Sequence, residues 1–141
     1  MKRFDWRDDS GQVAGLESIG FGILLFVVGS LLIANAWAVI DVKMAATSAA
    51  REAARSYIDA PEPDRRLAAA TASSRDAISA YGRDPNSVTV EVADEPSAVA
   101  PCGRVNVIVQ YPVPAITLPF VGGFGDGFTV SATHTEVLPC G

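Results

Sequence analysis

One stretch constrains this chain before any other: residues 18–40 carry no charge. At a helical rise of about 1.5 Å per residue the run reaches about 33 Å, against about 30 Å of hydrocarbon in a bilayer. Trp37 stands near its far end, where an aromatic belt meets the membrane interface, and Asp41 and Lys43 mark the return to water. A helix buried in a soluble domain is the competing reading, but a chain of 141 residues has too little remaining sequence to surround one. The expected organisation is therefore a cytoplasmic leader over 1–17, a transmembrane helix over 18–40 and an extracytoplasmic domain over 41–141.

The leader sets Lys2, Arg3 and Arg7 among Asp5, Asp8, Asp9 and Glu17. These bases form a tighter group than Lys43, Arg51 and Arg55 beyond the span, which favours the N-terminus inside. Cys102 and Cys140 then lie in an oxidising space, where two separated cysteines are expected to form one disulfide. Such a closure contributes ~3–4 kcal/mol in the chain-entropy picture. Bonded across neighbouring antiparallel strands, the two would set Val105 opposite Val137 and Tyr111 opposite Ser131. A net charge of −5 with no basic patch argues against a nucleic-acid partner.

Helical character continues past the membrane to about residue 60, because the segment is rich in Ala, Arg and Glu and free of Gly and Pro until Pro61 and Pro63 stop it. A rod of about forty residues, roughly 60 Å long, results. A second helix is predicted over 64–81, with Asp64 as cap, Leu67, Ala70, Ala77, Ile78 and Tyr81 near one face, and Gly82 closing it. The period then becomes two. Val88, Val90 and Val92 alternate with Thr89 and Glu91, Val105, Val107, Val109 and Tyr111 share a face, and a last strand runs from about Phe128 to Val137. Between the last two strands, Pro112, Pro114, Pro119, Gly122, Gly123, Gly125 and Gly127 predict an irregular loop. The fold class is α+β: a long N-terminal transmembrane helix continuing into an amphipathic segment, a second helix, and a small antiparallel sheet of three or four strands.

Chemistry-bearing motifs are few. His134 is the single histidine and falls on a strand, while Asp94 and Glu95 sit in a turn beside Pro96. With no metal-ligand spacing and no phosphate-binding loop, neither a cofactor, a small-molecule substrate nor an enzymatic activity is expected. The rod is more informative. Ser30, Ala34, Ala38, Val42, Ala46, Ala50 and Ala54 recur every four residues, a strip of small side chains along which another helix could pack closely. Asn35 lies within the span and calls for a hydrogen-bond partner, which a neighbouring helix would supply.

The block from Gly11 to Glu17, followed at once by the apolar run, resembles a prepilin-type leader, in which a Gly precedes the cut and a Glu stands five residues after it. Here Glu17 is the sixth residue after Gly11. Two readings of Glu17 stand: a carboxylate that pairs with the freed amine of a neighbouring subunit, or the last solvated residue before the span. Three further features extend the likeness: Met44-Ala-Ala-Thr-Ser-Ala-Ala-Arg-Glu-Ala-Ala-Arg55, Val105-Asn-Val-Ile-Val-Gln-Tyr-Pro-Val-Pro114, and Pro119-Phe-Val-Gly122 before a Thr-rich closing strand. In this order they resemble the TadE-like family of minor pilins and pilus-assembly proteins. That resemblance implies a pilin-like, non-catalytic protein of the bacterial cytoplasmic membrane acting in a tight-adherence (Flp/Tad) type IV pilus. Its implied partners are other pilins and the assembly platform. The alternative is a single-pass, membrane-anchored extracytoplasmic binding module that never enters a filament.

Overall fold

The computed structural model describes residues 10–93, 103–118, 120–125 and 127–138. Its first element, α1 (Ser10–Asp59), is one helix of 50 residues, about 75 Å long. It starts inside the segment read as leader and ends two residues before Pro61. Proline's ring clashes with the preceding turn and removes the next N–H donor, so the helix cannot pass it. A short 3-10 turn, Pro63–Arg65, leads into α2 (Arg66–Ala80). Asp64 lies inside that turn and does not cap α2, whose N-cap position is held by Arg65 without a side-chain cap bond.

The C-terminal end of α2 follows the expectation closely. Gly82 adopts φ 69°, its N–H donates to Ser79 O (2.8 Å), and Arg83 N–H reaches back to Ile78 O (3.4 Å). These paired bonds satisfy carbonyls the helix would otherwise leave open, and they need a left-handed residue that glycine supplies without a side-chain clash. The buried face of α2 is Ala70, Ser74 and Ile78, four apart. Leu67 and Tyr81, expected on that face, are exposed.

Among the described residues five strands follow: β1 (Thr89–Val92), β2 (Arg104–Val113), β3 (Ile116–Leu118), β4 (Gly122–Phe124) and β5 (Phe128–Val137). The main sheet is antiparallel in the order β1-β2-β5, and β3 and β4 form a separate hairpin. Regular structure therefore enters the loop predicted to be irregular. Pro114, Gly125 and Gly127 flank the hairpin, while Gly122 and Gly123 lie within β4 and Pro112 within β2. At Gly127 a Cβ would stand 1.5 Å from Val113 O, so only glycine lets the chain pass the end of β2 on its way into β5.

The register also departs from the expectation built on the cysteines, both of which lie outside the described residues. Val105 faces Glu136 and Tyr111 faces Val130, one residue away from the predicted pairing. A one-residue slip exchanges the faces of a strand. In consequence Ala132 and Val130 are buried on the helix side, while Thr133, Thr135 and Val137 point outward. Burial decides the register, because the other pairing would turn three polar or exposed positions toward the helices and leave Val130 in water.

The core lies between the helices and one face of the main sheet. From the sheet come Val105, Val107, Val109, Tyr111 and Val113; from α1 come Val42, Ala45, Ala46, Ala49, Ala50, Ala53, Ala54 and Tyr57, recurring at three- and four-residue steps. Alanine at six of these positions allows α2, β2 and β5 to approach the same helix. Burying the larger valines opposite stabilises the contact by about 1.5–3 kcal/mol each.

Candidate functional site

Below Val42 the same helix is bare. From Ser18 to Asp41 no residue is buried, and Phe26 (75% exposed) and Trp37 (70%) typify the large apolar side chains displayed there. A helix apolar on all sides, and exposed all round from Ser18 to Val28, belongs in an apolar solvent. Among the described residues this is one helix long and apolar enough to cross a membrane, and it fits a single-pass anchor or a signal sequence.

Where the bare half meets the domain, Asn35 makes a paired contact with β3. Its Nδ2–H donates to Thr117 O (3.2 Å) and to Leu31 O (2.8 Å), and Thr117 N–H donates to Asn35 Oδ1 (2.7 Å). The side-chain amide thus takes the place of a neighbouring strand, satisfying both backbone groups of Thr117. The partner expected from a neighbouring helix comes instead from this chain's own hairpin. A groove of about 280 Å³ beside the contact is lined by Leu32, Val39, Val113, Pro114 and Phe128.

The hairpin itself is apolar at its surface. Val121 N–H returns to Leu118 O (3.3 Å), and within that turn Phe120 takes φ 68° and is fully exposed (109%). A bulky residue with positive φ is costly, by about 1–3 kcal/mol, and such strain concentrates where a side chain is held for a purpose. Ile116, Val121, Phe124 and Phe128 are also exposed.

Just above this level, polar groups fasten the domain to the rod. Arg83 Nη2 pairs with Asp41 Oδ2, and its guanidinium carbon lies 6.0 Å from the Tyr111 ring centroid. Lys43 Nζ donates to Ser131 O. The first two charges after the apolar run are therefore engaged with α2's exit and β5. Farther up, Arg51, Glu52, Arg55 and Asp59 border a groove of about 490 Å³ with His134 and Glu136, whose Nε2 and Oε2 are 3.1 Å apart. His134 is half-buried on the helix side of the sheet. Among the described residues no group of three or more His, Cys, Asp or Glu could hold a metal ion.

The residues singled out in the sequence distribute as follows. Gly11 and Glu17 fall within α1. Of the small-residue strip, Val42, Ala46, Ala50 and Ala54 are buried inside this chain, Ala34 and Ala38 are half-buried, Ala38 lining the groove beside the hairpin, and Ser30 is exposed. Cys102, Cys140, Asp94 and Glu95 lie outside the described residues. Sequence reasoning missed Thr117 and Phe120. The available signal was the near absence of charge between Arg104 and Glu136, where Asp126 alone interrupts an aromatic and aliphatic run.

No protein-family model, curated protein or solved structure matches the chain.

Proposed function

We propose that this chain is a TadE-like minor pilin or pilus-assembly protein of a tight-adherence (Flp/Tad) type IV pilus, structural and not catalytic. The observation that carries the reading is the division of one unbroken helix into a bare apolar half and a half encased by its own domain. A helix with that division can rest in lipid while the domain stands outside, and can later exchange lipid for the apolar sides of other such helices without refolding. Both environments are apolar, so the exchange exposes no bulky side chain to water. The N-terminus lies inside the bacterial cytoplasmic membrane and the domain outside. Other pilins and the assembly platform are the partners.

In this reading Gly11 and Glu17 serve as the processing signal, and the buried upper strip of alanines holds the domain on the rod. The exposed lower strip at Ser30 remains for contacts between chains. Intact-mass measurement of the protein coexpressed with a prepilin peptidase tests the reading: the expected product lacks the first eleven residues. A leader retained in full would instead favour a permanently anchored extracytoplasmic binding module. The polar groove between Arg55 and Glu136 is the feature that such a module would offer to a ligand.

A further inference from the structure

The exposed hairpin invites a question of height. With Trp37 at the outer interface, about 30 Å of hydrocarbon reaches back along α1 to about the start of the uncharged run, so the last residues of 18–40 stand in the headgroup layer. Asn35 lies half a turn below Trp37, and it is Asn35 that binds the backbone of Thr117. The direction of the chain leads to the same place. Lys43 holds Ser131, while Phe128 and Val113 line the groove at Leu32 and Val39, so β2 descends the rod toward the apolar half and β3 continues to Asn35. The hairpin is thus positioned beside the membrane end of the span, well below the solvent-facing sheet.

Its chemistry suits that level. Residues 114–125 carry no charge, and Ile116, Phe120, Val121 and Phe124 are all at least half exposed. Exposed aromatic and aliphatic side chains on a fixed turn are costly in water but favourable at the boundary between headgroups and acyl chains. The backbone limits the depth. Among the described residues β4 pairs with β3 alone, and an open strand edge is not tolerated in the hydrocarbon interior.

Resting on the reading of α1 as a membrane span, we infer that the β3–β4 hairpin is an interfacial wedge whose occupant is the lipid of the same bilayer. Phe120 and its neighbours enter the headgroup and acyl boundary, and Asn35 is the tether that holds them at that depth. A single helix leaves the whole molecule, rod and domain together, free to tilt in the bilayer. A second apolar contact displaced from the helix axis restricts that tilt and holds the sheet at a fixed height above the membrane.

The test uses the full chain in vesicles of phosphatidylcholine and phosphatidylglycerol whose acyl chains carry bromine near the headgroup end. In a Trp6→Phe, Trp37→Phe background, Phe120→Trp reports on the hairpin and Phe26→Trp on the span. The wedge predicts blue-shifted Phe120→Trp emission, quenched about two-fold by shallow bromine and less by bromine near the bilayer centre. Phe26→Trp should show the opposite depth preference. Quenching at 26 without quenching at 120 overturns the wedge and leaves the anchor standing, whereas no quenching at either site overturns both. Blue-shifted emission at 120 that bromine does not quench, and that reddens on diluting protein in lipid, would assign the hairpin to a second copy of the chain instead. Asn35→Ala should lower quenching at 120 while leaving that at 26 unchanged; equal quenching with and without Asn35 overturns its assignment as the tether.

Discussion

The two halves of α1 are equally helical, yet they meet opposite surroundings. Up to residue 40 the run is uncharged and its large apolar side chains are mostly exposed; from Val42 onward one face is alanine covered by protein and the other carries Lys43, Arg51, Glu52 and Arg55 in solvent. Charge on the outer face and side-chain size on the inner one separate these fates. A helix lined with Leu, Ile, Phe and Val is too wide for two partners to close on together, and its natural surround is fluid and conforming. A helix lined with alanine is narrow enough for α2 on one side and the sheet on another, so protein can replace lipid.

That comparison can be broken from either end. The largest expected effect is in the bare half: Phe26→Arg should weaken membrane insertion by about 2.5–3.5 kcal/mol, measured as the fraction of chain recovered with membranes, with little change in the domain's unfolding temperature. The covered half should respond in the opposite manner. Ala50→Leu places three extra carbons in a site with no exposed surface, which should destabilise the domain by about 1–3 kcal/mol in urea unfolding while membrane recovery stays unchanged. If either substitution moved both readouts together, the division of labour within the helix would be refuted.

The smallest effect belongs to the domain's edge and tests whether its stability is independent of the rod. Asp84 accepts hydrogen bonds from Asn86 N–H (3.0 Å) and Ser87 Oγ (3.0 Å), which hold its carboxyl below its ordinary value of 3.8. A depressed folded-state value means stabilisation that is present above the unfolded value and is lost as pH falls through the folded one. The urea midpoint should therefore drop slightly more between about pH 5 and about pH 3 in the native chain than in Asp84→Ala. Since Asp84 is fully exposed, the difference should be the least of the three.

Local patterns predicted local structure well. The alternation from Val105 to Tyr111 placed those side chains on the buried face of β2, and Gly82 closed α2 where expected, because each depends on backbone preferences and on a period visible within a few residues. Pairing across the chain was less accessible. The register between β2 and β5 lies one residue from the pairing a Cys102–Cys140 bond would set, because the positions of two cysteines carry no information about which residues of β5 the helices cover. The strip of small residues is expected to pack on another subunit's helix, but its upper half packs within the chain, because α2, β2 and β5 all return along the rod and close on it there.

That a long apolar helix precedes an α+β domain is legible residue by residue, since uncharged length, proline stops and alternating valines are properties of single segments. That Asn35 bonds the backbone of Thr117, 82 residues away, and that a Pro- and Gly-rich loop folds into an apolar hairpin beside the uncharged run, emerges only once the chain is folded. A hydrogen-bond requirement names a need and not a partner. The partner is supplied by whatever backbone the fold carries to that height on the helix.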